Sequence, residues 1–363
     1  MACLKNVNIA LLGDNQDFNS KILFDILNIY SKTKYTLDEI VNLRNTRETT
    51  VPLIWNFKVK KMYNVNISIV PFNLDSSFSK AIIQSDISFF ALKDSISELL
   101  KQQIIASNIL GLKHTMIYHE NIDYNTITKI FTNRNFKKCK MVNVAHLNRE
   151  FFEKGLTMFS KYQKSQENKE EITILPITNV FNYGDKWLGV NGTILNGEID
   201  KNGFLFSNTN KCISKIEEIQ IKHLEVSTAS KGDNVGIKIK KNTGLCEGDL
   251  LTNNIIDKSH LAKLQVFILD GELDTKNIYT IDLFGQNKKI KILSIAKTIN
   301  NLNKTILKHP EKIVKNDTAI VNVEFRDHVP LMLYSKNYKL GSFLIKNTED
   351  NTTIGIGIVK TLR

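Results

Sequence analysis

The apolar pattern of this chain changes period at about residue 172, and that change limits what it can fold into. Over residues 1–160, short apolar runs alternate with segments whose apolar residues recur every three or four positions, the marks of strands and helices in turn. The runs ending in NIALL, NISIV, ISFFAL and TMIYH are strand-like, and ILFDILNIY, ISELLKQQIIASNILGL, TITKIFTNRNF and EFFEKGLTMFSKY are helix-like. Such alternation predicts an α/β domain with a doubly wound, mostly parallel sheet, whose ligands would sit at the carboxyl ends of the strands. AIIQSDISFFAL is read as one buried strand, and residues 32–50 only as a polar stretch. Beyond residue 172 the helical period gives way to short strands punctuated by Gly, Asn and Asp, which predicts two successive β-barrels. The expected division is an α/β domain over residues 1–162, a charged linker QKSQENKEE over 163–171, and barrels over 172–257 and 258–363.

The first strand runs into a chemically informative loop. Its apolar residues end at Gly13, a polar loop follows, and a helical period begins near Ile22. Strand, loop and helix in that order form the frame of a phosphate-binding P-loop, G-x-x-x-x-G-K-[S/T]. There the glycines bring backbone N–H groups to the phosphates, the Lys reaches the terminal phosphates, and the hydroxyl binds Mg²⁺. Here Gly13 and Ser20 stand at the outer positions, while Phe18 replaces the second Gly and Asn19 the Lys. Asp14 and Asp17 add negative charge where a polyphosphate would lie. Without the phosphate, Gly13 reads as a turn glycine and Ser20 as a helix N-cap.

A chain of 363 residues is long enough for two or three domains, and its 42% hydrophobic and 24% charged content is that of a globular protein. No apolar run approaches the roughly 20 residues needed to span a bilayer, so no membrane partner is expected. Cys3, Cys139, Cys212 and Cys246 are scattered without paired spacing. They suggest neither disulfides nor a zinc site, and the cytoplasm is the expected compartment. Seven dispersed histidines give no metal-ligand pair. The net charge of +12 favours a polyanionic partner, most simply RNA or a ribonucleoprotein surface.

Several stretches taken together resemble the translational GTPases of the elongation factor 1-alpha family, with the release-factor GTPase and the Pelota-partner rescue GTPase among its branches. RETTVPLIWNFKV looks like the switch I region, LPITNVF with GVNGTILNGEIDKNG like the second-domain signature, and KGDNVGIKIK like a strand of that domain. LKHPEKIVKNDTAIVNV and PLMLYSKNYKLGSFLIKN match the third domain. The resemblance implies a P-loop GTPase-like domain followed by two β-barrels. Carried over position by position, its nucleotide chemistry is mostly missing. The family's D-x-P-G-H falls on Ile69, Val70, Pro71, Phe72 and Asn73, where only the Pro remains. The guanine-reading N-K-x-D falls on Glu120, Asn121, Ile122 and Asp123, where only the Asp remains and reads as a surface residue. Thr50 stands where the family Thr completes the Mg²⁺ shell.

The expectation is therefore a translation-factor-like pseudo-GTPase with no catalytic residues and no bound GTP, Mg²⁺ or other metal. Gly13, Ser20, Thr50 and Asp123 would be remnants of a cofactor site. Its expected partners are the ribosome or ribosomal RNA and a Pelota-like or release-factor-like protein, in rescue, surveillance or dormancy. Lys238, Lys240, Lys241, Lys288, Lys289, Lys291 and Lys346 are the candidate RNA or partner contacts. A divergent but active elongation or rescue GTPase is the alternative, and an adaptor in RNA decay the second.

Overall fold

A computed structural model describes residues 5–31, 34–45, 54–60, 62–131, 139–143, 147–165, 172–183, 186–208, 213–240, 244–283 and 286–362. The chain divides into two compact units, one made of residues 1–108 and 112–170, the other of residues 109–111 and 171–363.

The first unit alternates strand and helix. Its strands are β1 (Lys5–Leu12), β2 (Ile54–Val59), β3 (Tyr63–Ile69), β4 (Ile87–Leu92), β5 (Thr115–His119) and β6 (Cys139–Asn143). Its helices are α1 (Gln16–Tyr30), α2 (Leu37–Asn45), α3 (Ser76–Gln84), α4 (Glu98–Ile109), α5 (Tyr124–Phe131) and α6 (Arg149–Ser165). The sheet order is β2-β3-β1-β4-β5-β6, parallel throughout except for the β2–β3 hairpin. Two elements differ from the sequence reading. AIIQ is the end of α3, which Asp75 caps by accepting from the amides of Ser77 and Phe78 at 2.8 and 3.0 Å, so the strand begins only at Ile87. The polar stretch holds α2, opened by a capping box in which Thr36 and Glu39 satisfy each other's amides at 2.7 and 3.2 Å.

The three strands at one side of this sheet have one apolar and one amide face. Val7, Ile9, Leu11, Val65, Ile67, Trp55 and Phe57 pack with Ile22, Leu23 and Ile26 of α1 and Phe152 and Leu156 of α6. The identical tetrads Asn6-Val7-Asn8-Ile9 and Asn64-Val65-Asn66-Ile67 run side by side in register, which sets their asparagines next to one another on the opposite face. Asn64 donates to Asn6 at 2.6 Å, Asn66 to Asn8 at 2.7 Å, and Asn56 of β2 to Asn64 and Asn66 at 3.1 and 2.5 Å. A buried amide costs free energy unless it is bonded, and this ladder supplies the partners.

The second unit contains two barrels. The first comprises β7 (Ile174–Tyr183), β8 (Trp187–Thr193), β9 (Glu198–Asp200), β10 (Phe204–Ser207), β11 (Ile213–Ile221), β12 (Leu224–Val226), β13 (Thr228–Ser230), β14 (Asn234–Lys240) and β15 (Leu250–Thr252). Six of these strands close in the order β10-β15-β7-β8-β14-β11 through the β10–β11 pairing. The second comprises β16 (Lys258–Ile268), β17 (Glu272–Asp274), β18 (Ile278–Leu283), β19 (Gln286–Asn300), β20 (Ile306–Lys308), β21 (Lys312–Val314), β22 (Asp317–Pro330), β23 (Ser342–Asn347) and β24 (Thr353–Leu362). It closes as β18-β23-β24-β16-β22-β19 through β18–β19, with β20 added outside β19. Closure leaves no free edge within each ring, and strands of alternating polarity fill the interiors.

Within the second barrel Lys346 and Asp282 form a fully buried ion pair at 3.0 Å. Lys346 therefore offers no surface to RNA, which corrects its assignment as a contact residue. Removing one partner strands the other charge in a dry site. Lys346→Ala is expected to destabilise the second unit by about 3–5 kcal/mol, whereas Lys346→Met with Asp282→Leu recovers most of the loss. Denaturant unfolding of the single and double variants measures both.

Candidate functional site

The candidate site is the loop at the carboxyl end of β1. It is short, because α1 starts at Gln16 and only residues 13–15 separate it from the strand. Asn15 is the N-cap, its backbone extended at φ −117° and its side chain accepting from the Phe18 amide at 2.8 Å. The Asn19 amide is already in the helical ladder, bonded to the Asn15 carbonyl at 2.9 Å. An open phosphate cradle leaves such first-turn amides free for the anion. Here the chain's own side chain and carbonyl take these two.

The side chains of the loop follow the same logic. Phe18 is buried against the sheet with its ring 5.9 Å from that of Tyr118. Asn19 is fully buried and turned back, its side-chain amide donating to the Gly13 carbonyl at 3.4 Å. Gly13 is required by packing, since a Cβ there would lie 2.5 Å from Asn19 Oδ1 and 2.7 Å from the Ala91 carbonyl oxygen. Ser20 sits inside α1 and donates to the Gln16 carbonyl at 3.0 Å, so it is not the helix cap. Its hydroxyl also accepts from Arg44 Nη1 at 3.1 Å, and Arg44 Nη2 bonds Asp17 at 3.0 Å. The hydroxyl that would bind a metal in a working P-loop is held by a guanidinium of the same chain. The sequence reading missed Arg44 because it missed α2. The T-x-x-E capping box at Thr36 was the signal for that helix.

The two loops on which the family's other nucleotide motifs fall are held by local contacts. After β3, the Val70 amide bonds the Leu11 carbonyl at 2.9 Å, and Gln103 of α4 donates to the Phe72 carbonyl at 2.7 Å. After β5, Tyr118 donates to Glu120 at 2.8 Å, and burial together with that carboxylate raises the phenol's pKa. Asn121 takes a left-handed backbone (φ 54°) and donates to Asp94 at 3.0 Å. Asp123 accepts from the Thr126 amide at 3.0 Å and so starts α5, an N-terminal role more specific than that of a plain surface residue. Thr50 lies outside the described residues. No group of three metal-ligating side chains occurs among the described residues.

The candidate basic contacts separate into kinds. Lys238 lies over the Trp187 ring, 5.1 Å from its centroid, and 3.8 Å from Glu218, so it is engaged within its own barrel. Lys240 is exposed at the end of β14. Lys289 and Lys291 are exposed on β19 with Lys288 half-buried, and Lys241 lies outside the described residues. Lys346 is excluded by its burial.

His119, at the end of β5, is 1% exposed and its Nε2 has no hydrogen-bond partner. Burial lowers its pKa below the usual 6.5, offset in part by a backbone hydrogen bond at Ile122. The folded state therefore keeps this ring neutral where the unfolded state would protonate it. Stability is full above about pH 6.5 and falls as the solution is acidified below it. The His119→Phe variant is expected to lose less stability between neutral and mildly acid pH, read from melting temperatures across that range.

Known structures share this geometry, and part of the chain matches one known family. Residues 260–360 match the family described as GTP-eEF1A C-terminal domain-like. No curated protein sequence matches the chain significantly. Among solved structures, the Saccharomyces cerevisiae Ski7 GTPase-like domain bound to GTP is similar at TM-score 0.70 and 12% identity, over 98% of this chain and 97% of that one. The bacterial selenocysteine-specific elongation factor EF-Sec gives TM-score 0.69 at 13% identity over 98% of this chain, which spans 58% of that factor. SelB from Methanococcus maripaludis with the GTP analogue GppNHp gives 0.66 at 16% identity, over 100% of this chain and 80% of that one. An α/β domain on a P-loop-like frame and two closed barrels give this chain the architecture of the translational GTPases, and residues 260–360, in its second barrel, match the eEF1A-type C-terminal domain.

Proposed function

We propose that the chain is a translation-factor-like adaptor that binds the ribosome, or a tRNA-shaped partner of the Pelota and release-factor kind, without hydrolysing GTP. The observation that carries this reading is the closed loop of residues 13–15. Asn15 occupies the Phe18 amide, Asn19 replaces the phosphate-binding Lys and is buried, and Arg44 holds Ser20. Nucleotide phosphate and Mg²⁺ do not fit these residues. A charge-assisted hydrogen bond is worth about 1.5–3 kcal/mol, and the loop lacks several of them at once. Rescue, surveillance or dormancy is the setting in which such a shape acts without a nucleotide cycle, and the net charge of +12 suits a ribosomal RNA surface.

A second reading keeps nucleotide binding, favoured by the Ski7 GTPase-like domain, whose structure holds GTP. Calorimetric titration with GTP and Mg²⁺ separates the two, and no measurable heat is the expected result. For the first reading, sedimentation through sucrose gradients at low and high salt is expected to show migration with ribosomes that is lost as salt rises. A protein that stays at the top of both gradients would exclude a ribosomal adaptor.

A further inference from the structure

The hairpin formed by β19 and β20 carries an arrangement that the barrel does not require. Lys297 pairs directly with Lys308, Thr298 with Leu307 and Ile299 with Ile306. Residues opposite one another in an antiparallel pair share a face, so the two lysines and the two isoleucines form one four-residue patch. Both lysines are exposed, and Ile306 is 60% exposed. Leu307, on the other face, is 53% exposed, and Leu302 at the turn is 76% exposed.

Like charges placed directly opposite in a sheet are unfavourable, and exposed aliphatic groups gain nothing from water. Neither Lys297 nor Lys308 forms an ion pair among the described residues, although nearby Lys312 and Lys315 are paired with Glu272 at 2.9 Å and Asp270 at 3.2 Å. The turn is also held firmly. Asn300 accepts from the Leu302 and Asn303 amides at 3.0 and 3.2 Å and donates to Asp317 at 2.8 Å, while Asn301 donates to the Asn316 carbonyl at 2.6 Å. Leu302 is thus presented on a preorganised tip, which lowers the ordering cost of binding.

We propose that this hairpin is a docking surface for an acidic segment of a partner protein that carries apolar side chains of its own. Carboxylates would relieve the opposed Lys297 and Lys308, and apolar groups would cover Leu302 and Ile306. The composition argues for protein over nucleic acid. Residues 297–308 contain no aromatic ring on which a base could stack and no Arg for bidentate phosphate contact. The proposal is independent of whether the chain binds ribosomes.

The test uses the full chain and a fluorescein-labelled peptide of alternating leucine and glutamate, with polyglutamate and poly(U) RNA as comparison probes, read by anisotropy. Two double variants are needed: Lys297→Gln with Lys308→Gln, and Leu302→Ser with Ile306→Ser. Their melting temperatures establish that both remain folded. Each is expected to weaken the leucine–glutamate peptide by about tenfold, while only the lysine variant weakens polyglutamate. The proposal is overturned if the peptide does not bind saturably, or if the serine variant binds it as the parent does. It is equally overturned if poly(U) binds more tightly than the peptide and is lost with the lysines. Self-association of the parent chain that the serine variant abolishes would also overturn it, by making the patch a contact between copies.

Discussion

The hydrogen bond from the Phe18 amide to the Asn15 side chain, at 2.8 Å, decides what the first domain offers at its strand ends. Once Asn15 caps the helix, α1 has to begin at Gln16, and the loop that would wrap a phosphate is reduced to three residues. Phe18 then falls on the buried side of the helix with Ile22 and Leu23, and Asn19 turns into the space that Gly13 leaves open. Ser20 is carried inside the first turns, within reach of Arg44. These features share one cause. An N-cap side chain contributes about 1 kcal/mol to its helix, a local stabilisation that requires no ligand.

The architecture was legible in the sequence because it rests on periodicity. The shift from alternating strand and helix to short strands at residue 172 marks the change from the α/β domain to the two closed barrels. The misread elements were those whose signals are local. Residues 37–45 are few and mostly polar, so the short helical spacing of Leu37, Ile40 and Val41 is easily passed over, and the Thr36–Glu39 capping box is the firmer mark of their helix. AIIQ is apolar enough to pass for a strand until the Asp75 cap is counted. At the candidate site, the substitutions at Phe18 and Asn19 could be read directly, whereas the roles of Asn15 and Arg44 depend on tertiary geometry. Lys346 shows the limit of reading charge from sequence. A lysine on an alternating strand looks solvated until Asp282 is found beside it in the interior.

The basic excess is likewise not one uniform field. Part of it is consumed internally, in the Lys346–Asp282 pair and in the contact of Lys238 with Trp187 and Glu218. Part is neutralised at the surface, as at Lys312 and Lys315. Exposed surface pairs of that kind contribute little to stability, about 0–1 kcal/mol each. The lysines that remain unpaired are therefore the informative ones, and Lys297 and Lys308 stand opposite each other at the same end of one barrel.

The asparagine ladder across β1, β3 and β2 has a consequence for the order of events as the chain is made. The partners of Asn6 and Asn8 are Asn64 and Asn66, so as the chain is made β1 waits for β3 until some 58 residues more have followed. During that interval an all-apolar strand would expose two sticky faces, whereas β1 keeps one face solvated over its first half. When β3 arrives, a pairing shifted by one residue would set amides against Val7 and Ile9 and leave both rows unbonded. The matched tetrads thus act as a checksum on this long-range pairing, and they lower the aggregation hazard of waiting for it.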